Sequence, residues 1–212
     1  PSGMRRINYD GKRGWLGDNG VFFPDVAPRR GRARGHGNRV GSTTCPNEGP
    51  IRQAVAELLG PGSRTSVCSL VDPATMKHAL DEHDWPANTD PHTFYGFHTD
   101  GNEILVAEKA PWSVTHEIVH DWINDKDVAR WLCEALTEEV SEYLNKTRGI
   151  AWRPTYPEQR RVLSTEILPR LKLGKDAGVK LAIFVHKSGR GAKRPDRAIA
   201  KALARGRLRG RQ

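Results

Sequence analysis

The chain has 212 residues, a formal net charge of +9, 37% hydrophobic and 28% charged residues. That suffices for one substantial domain with tails, and no apolar run approaches the length of a membrane helix, so a membrane partner is excluded. With no secretory core behind the N-terminus, the expected location is the cytoplasm, a secreted or delivered effector being the alternative. Cys45, Cys68 and Cys133 are an odd set without C-x-x-C spacing, which reads most simply as three reduced thiols. A single Cys45–Cys68 bridge is the other reading.

Residues 1–46 are rich in Gly, Arg and Pro and read as a basic arm. Pro1-Ser2-Gly3 before Met4 resembles a tag remnant, and a small hairpin is expected near Asp18-Asn19-Gly20. Arg29 to Arg39 is a glycine- and arginine-rich run, too repulsive to fold alone. The basic stretch from Lys187 to Arg211 matches it at the other end. Both runs suit a polyanion or nucleic acid, or serve only as solubilising extensions; no aromatic residues interleave them, so base stacking is not suggested.

A central domain is expected over 47–188, followed by a basic helix or tail over 189–212. Ile51 to Leu59 has helical periodicity, with Asn47 upstream and Gly60-Pro61-Gly62 as a stop. Thr65 to Leu70 suits a strand. Asp72-Pro73 starts a helix through about Glu82, the aspartate as N-cap and the proline at the first helical position. Thr93–His98 and Glu103–Ala107 flank Asp100-Gly101, a hairpin signal. Among the other histidines, His78 and His83 are spaced poorly for a joint role, and His92 and His98 read as surface residues.

After Pro111 comes His116-Glu117-Ile118-Val119-His120. Histidines at i and i+4 share one helical face with Cβ atoms roughly 5–6 Å apart, so both rings reach one tetrahedral ion. Glu117 points about 100° further round, beside a metal-bound water rather than on the metal. Val114, Ile118, Val119, Trp122 and Ile123 gather on one broad side of the wheel. The histidines fall at its edge and Glu117 toward the polar side. The rival reading is a surface helix with two solvated histidines.

The next helix carries the apolar stripe Val128, Leu132, Leu136, Val140 and Tyr143, with Cys133 as a small core residue. Glu134 and Glu138 lie one turn apart on another face, shared with Trp131. A solvated charged face is the plain explanation, but a large aromatic there argues that the face meets protein or substrate. Glu134 is then the candidate third ligand. Glu138 is placed to bond the free ring nitrogen of a ligand histidine. Asp125 and Asp127 are nearer alternatives as ligand, but follow the first helix so closely that a short turn aims them at solvent.

Thr115 to Leu144 resembles the active-site helix pair of gluzincin metallopeptidases, the thermolysin-like group, whose pattern is H-E-x-x-H followed by a helix with E-x-x-x-D, often W-L-x-E-G-x-x-E. The resemblance covers about thirty residues. It implies Zn2+ held by His116, His120 and Glu134, with Glu117 as general base and Glu138 where the family has an aspartate. It also implies a zincin-like α+β fold: a small, mainly antiparallel sheet whose edge strand takes extended peptide, an active-site helix pair, and a helical C-terminal part. The implied activity is endopeptidase hydrolysis of a protein or peptide. Three departures stand out: thirteen residues separate His120 from Glu134, Ala135 replaces the common glycine, and Glu138 is one methylene longer than aspartate.

Three helical segments close the chain, about Glu158–Lys172, Ala177–Lys187 and Arg194–Arg205, with Pro169 bending or ending the first. Such peptidases often hold the oxyanion with a distal His, Tyr or Arg, and His186, Tyr156 and Tyr143 are the candidates. A nucleic-acid-binding protein with an accidental or structural metal motif, and an inactive zinc-binding scaffold, are the competing functions.

Overall fold

The computed structural model describes residues 42–62, 66–83, 85, 88–99, 103–123, 128–150, 152–189 and 199, together with the backbone of three strands before residue 25. The chain divides into two compact units, Pro1–Arg34 and Gly35–Gln212. The first holds β1 (Met4–Tyr9), β2 (Lys12–Gly17) and β3 (Phe22–Pro24), an antiparallel sheet in that order. Strands therefore occupy fifteen residues of what composition presents as an extended arm over 1–46. The β2–β3 connection spans the expected hairpin at Asp18-Asn19-Gly20, whose tip lies outside the described residues, as does the basic run 29–39.

The second unit is α+β. Its sheet is built from β4 (Ser42–Thr44), β5 (Val67–Val71), β6 (Gly96–His98) and β7 (Glu103–Ala107), in the order β4-β5-β7-β6. The outer pairs are antiparallel, but the central β5–β7 pair is parallel, so the sheet is mixed. The parallel pair needs a crossover, and α2 (Pro73–Glu82) lies within it. Asp72 caps α2 as expected, accepting from the Thr75 N–H at 2.7 Å.

Ile104-Leu105-Val106-Ala107 shows why β7 is central. Successive side chains point to opposite faces. Ile104 and Val106 enter a large core with α1 (Glu48–Leu59), α3 (Val114–Ile123), α4 (Arg130–Thr147) and α7 (Ala177–Gly189). Leu105 and Ala107 enter a smaller core with Met76, Ala79 and Leu80 of α2 and Phe97 of β6. An unbroken apolar run is what a strand buried on both faces requires.

Gly60 stops α1 with φ +94°, a conformation glycine adopts without a Cβ penalty. The expected helix over Glu158–Lys172 is instead α5 (Pro157–Val162), one π turn (Leu163–Ile167) and α6 (Leu168–Leu171). Pro169 has no N–H to donate back, and the wide turn just before it accommodates that loss. Of the expected helix Arg194–Arg205 only Ile199 is described, buried in the large core; the basic tail beyond it is outside the described residues. No described helix is long and apolar enough to cross a membrane.

Cys45 and Cys68 form a disulfide, and the buried Cys133 keeps its thiol outside it. This corrects the expectation of three reduced thiols. Cys45 follows β4 and Cys68 lies in β5, antiparallel neighbours that bring the two Cα atoms to 5.4 Å. The bridge closes a loop of sequence separation 23, for which chain-entropy arguments give about 3 kcal/mol of stabilisation. Thiol titration of the denatured, unreduced protein is expected to find a single reactive thiol. Cys45→Ala/Cys68→Ala should lower the denaturation midpoint by an amount of that order; three thiols, or an unchanged midpoint, would remove the bridge.

Candidate metal centre

The site is built on the seam between α3 and α4. A 3-10 turn, Pro111–Ser113, leads into α3, and all ten residues of α3 are buried. Glu117, expected toward the polar side, is thus also inside. Along α4, Glu134, Glu138, Ser141 and Asn145 recur at helical spacing and are all buried. The solvated-face reading of these glutamates does not hold. Thr115 donates to Asn145 Oδ1 at 2.8 Å, tying the two helices at the far end of this polar stripe.

His116, His120 and Glu134 converge so that they could hold a metal ion. His116 Nε2 and His120 Nε2 are 3.1 Å apart. Glu134 Oε2 lies 3.3 Å from the first and 3.2 Å from the second. Three donors bound at 2.0–2.1 Å to a tetrahedral ion would be separated by roughly 3.3 Å, so the triangle matches one tetrahedral face. The donor chemistry agrees, two imidazoles and a carboxylate. The three ligand residues are buried, with 5–7% of their surface exposed.

The surroundings hold the ligands in place. His120 Nδ1 faces Thr137 Oγ1 at 3.4 Å and Cys133 Sγ at 3.8 Å. His116 Nδ1 faces Glu138 Oε1 at 3.5 Å, beyond hydrogen-bonding distance, while that oxygen accepts from the Thr155 N–H at 2.9 Å. Glu138 therefore stands beside His116 and links it to the segment leading into α5. The Tyr156 ring stacks on the His116 imidazole, with centroids 5.5 Å apart.

Electrostatics reflect the crowding. Burial alone would lower the His116 imidazole, but Glu134, Glu138 and Glu117 push it up to about 10. Burial pushes the Glu117 carboxyl up to about 7, against the pull of His116. Burial also opposes ionisation of Glu134, yet His120 and His116 hold it well below the usual carboxylate range. Burial, then Glu134 and Glu117, push the Tyr156 phenol well above its ordinary value. Three carboxyl groups around two imidazoles make a pocket suited to a divalent cation.

The edge strand β6 lies against this helix. A Cβ on Gly96 would come within 3.0 Å of Glu117 Cγ and Oε1, so glycine is what lets the carboxylate sit beside the strand. Behind α3 lies a polar clamp that was barely legible in the sequence. Asp121 accepts from Arg52 Nη1 at 2.7 Å, Ser66 N–H at 3.1 Å and Ser66 Oγ at 2.5 Å, and meets His98 Nε2 at 2.6 Å. His98, expected at the surface, has a side chain only 5% exposed. The available signal was Asp121 itself, an acid three residues after Ile118 and one turn after Glu117 on a helix with a broad apolar side.

The three oxyanion candidates separate. Tyr156 is at the ligands. His186 Nδ1 instead meets the Trp122 carbonyl at 2.8 Å, satisfying the C-terminal end of α3. Tyr143 lies nine residues after Glu134, half a turn round α4, and packs against the large core. Asp125 and Asp127 lie outside the described residues. His78 and His92 are exposed, and His83 packs edge-on against Phe97. Compared with known protein families, curated proteins and solved structures, the chain matches none.

His116 and Glu117 have folded values above their ordinary 6.5 and 4.5. A group raised by folding stabilises the fold below its ordinary value and loses that contribution as pH climbs through the raised one. The metal-free protein should therefore lose stability between about pH 5 and 10. Added zinc competes with the imidazole protons, so its stabilisation grows with pH and reaches about 3 kcal/mol at a hundredfold excess over Kd. Melting curves from pH 6 to 9, with and without zinc, check this; superimposable curves at pH 8 would remove the metal site.

Proposed function

We propose that the chain is a zinc-dependent peptidase of gluzincin type, with His116, His120 and Glu134 as ligands and Glu117 as general base. The observation that carries this reading is the tetrahedral-face triangle of three donor atoms with a buried carboxyl of raised pKa next to it. Zinc, when bound there, lowers the pKa of a coordinated water to about 7 and polarises a carbonyl. Glu117, raised to about 7 and buried beside the ligands, would hold the proton taken from the attacking water and pass it to the leaving amine. Tyr156 stays protonated at neutral pH and lies over His116, so its hydroxyl is the donor best placed for the developing oxyanion. Glu138 stands 3.5 Å from the other ring nitrogen of His116, where a small shift would let it accept that N–H and orient the ring. The β6 edge, held beside Glu117 by Gly96, offers backbone groups to an extended peptide.

A structural disulfide persists in oxidising surroundings. The Cys45–Cys68 bridge thus favours a secreted or delivered location over the cytoplasmic one.

Glu117→Gln is expected to retain zinc while hydrolysis falls by about 10²–10⁴-fold; peptide-library cleavage with parallel metal analysis reads both, and unchanged turnover would remove the base. Glu134→Ala should weaken zinc retention by more than about 100-fold, beyond what loss of an outer partner costs. Asp125→Ala and Asp127→Ala serve as comparison, and equal retention in all three variants would sink the choice of Glu134.

A further inference from the structure

Two exposed cations, Lys109 and Arg153, differ in kind from those in the body of the fold. Arg160 is neutralised by Glu139 and Glu142 while it stacks over Trp152 at 4.9 Å. Arg52 is held by Glu48 and Asp121. Lys109 and Arg153, by contrast, are exposed and have no carboxylate partner among the described residues. Each is instead positioned by an aromatic ring. Lys109 Nζ lies 5.7 Å from the Tyr95 centroid and the Arg153 guanidinium 4.9 Å from that of Trp112. Tyr95 and Trp112 contact each other at 6.0 Å, so the four side chains form one platform, with Tyr95 40% exposed.

The platform is tied to the reacting centre on both sides. Tyr95 precedes Gly96, the residue packed against Glu117, and its carbonyl accepts from Ser113 Oγ at 3.2 Å. Arg153 is three residues before Tyr156, which stacks on His116, and two before Thr155, whose N–H binds Glu138. Three residues span at most about 10 Å. A peptide extended along β6 would therefore pass this platform within a few residues of the bond at the metal.

We propose that Tyr95, Lys109, Trp112 and Arg153 form a subsite for an acidic side chain of a peptide, giving the site a preference for Asp or Glu near the scissile bond. Aromatic rings hold the two cations in place without cancelling their charge, and a planar guanidinium pairs with a carboxylate in two parallel hydrogen bonds. The carboxyl groups of the metal centre are buried whereas Lys109 and Arg153 are exposed, so the platform presents positive charge outside an acidic centre. The subsite rests on the peptidase reading for its role, but its binding preference can be measured apart from hydrolysis.

The test uses the full chain as the zinc-loaded Glu117→Gln protein. Fluorescent dodecapeptides identical except for four central residues, all Glu, all Ala or all Lys, are titrated by anisotropy. Two partly exposed charge pairs predict about tenfold tighter binding of the Glu peptide than of the Lys peptide. Lys109→Glu/Arg153→Glu should reverse that order with zinc content per chain unchanged. Equal affinities, or an order that survives the double variant, would overturn the subsite. A single-stranded oligonucleotide that outcompetes the Glu peptide at the platform would overturn its assignment to peptides. Cleavage by the Glu117-containing protein is read in parallel: hydrolysis without acidic preference removes the subsite and keeps the peptidase, whereas the predicted binding order without any hydrolysis removes the peptidase and keeps the subsite.

Discussion

The constraint on which this structure turns is the polar seam between α3 and α4. Helices normally meet through apolar ridges and grooves. Here His116, Glu117 and His120 of one helix, and Glu134, Glu138, Ser141 and Asn145 of the other, are all buried. Isolated charges in such a place are severely penalised, and even paired ones stabilise a fold weakly. The seam tolerates them because each imidazole has a carboxylate within reach and because the far end is closed by neutral hydrogen bonds, Thr115 to Asn145 and Ser141 to the Thr137 carbonyl. A cation in the Nε2–Nε2–Oε2 triangle would offset the remaining negative charge.

Everything around the seam keeps it from relaxing. The opposite side of α3 is embedded in apolar residues of α1, α4 and α7, so the helix cannot rotate to expose its charges without giving up that burial. Asp121 then pins its register. One carboxylate gathers donors from α1, from Ser66 ahead of β5 and from β6, and so fixes the helix to three separate elements. That carboxylate is held well below the usual range despite burial, by His98, Arg52 and Ser66 in that order of effect. The same clamp sets the distance between α3 and β6, and with it the room that Gly96 leaves for Glu117.

The parts legible in the sequence are those governed by local rules. The Asp72-Pro73 cap, the apolar run of β7 and the i, i+4 histidines depend on neighbours a few residues away, and all appear where expected. Convergence of His116, His120 and Glu134 was legible for a further reason: Trp131 marked a face that could not be solvated. What escaped was set by long-range partners. His98 read as a surface residue because its acid is 23 positions downstream in α3. The disulfide escaped because strand pairing, not cysteine spacing, brings Cys45 to Cys68. The parallel β5–β7 pair also needed tertiary information, since a hairpin signal says nothing about which edge the hairpin joins. The strands before residue 25 were hidden by a composition of Gly, Arg and Pro that suggests an arm.

The departures from the gluzincin pattern fit this seam. Glutamate at 138 is longer than aspartate, and the added methylene carries its oxygen as far as the Thr155 N–H. It then acts as a brace between His116 and the segment that carries Tyr156, rather than as a close partner of the imidazole alone. Ala135, fully buried, occupies the place of the usual glycine. The connection from His120 to Glu134 is short, yet the triangle still closes, because α4 begins its polar stripe within its first turn and a half. Two helices with matched polar faces are sufficient for such a centre, and their requirements concern spacing and burial, not the identity of the rest of the chain. A local likeness of about thirty residues is therefore compatible with a fold that matches no solved structure, and the site's chemistry is better argued from its own distances than from any relative.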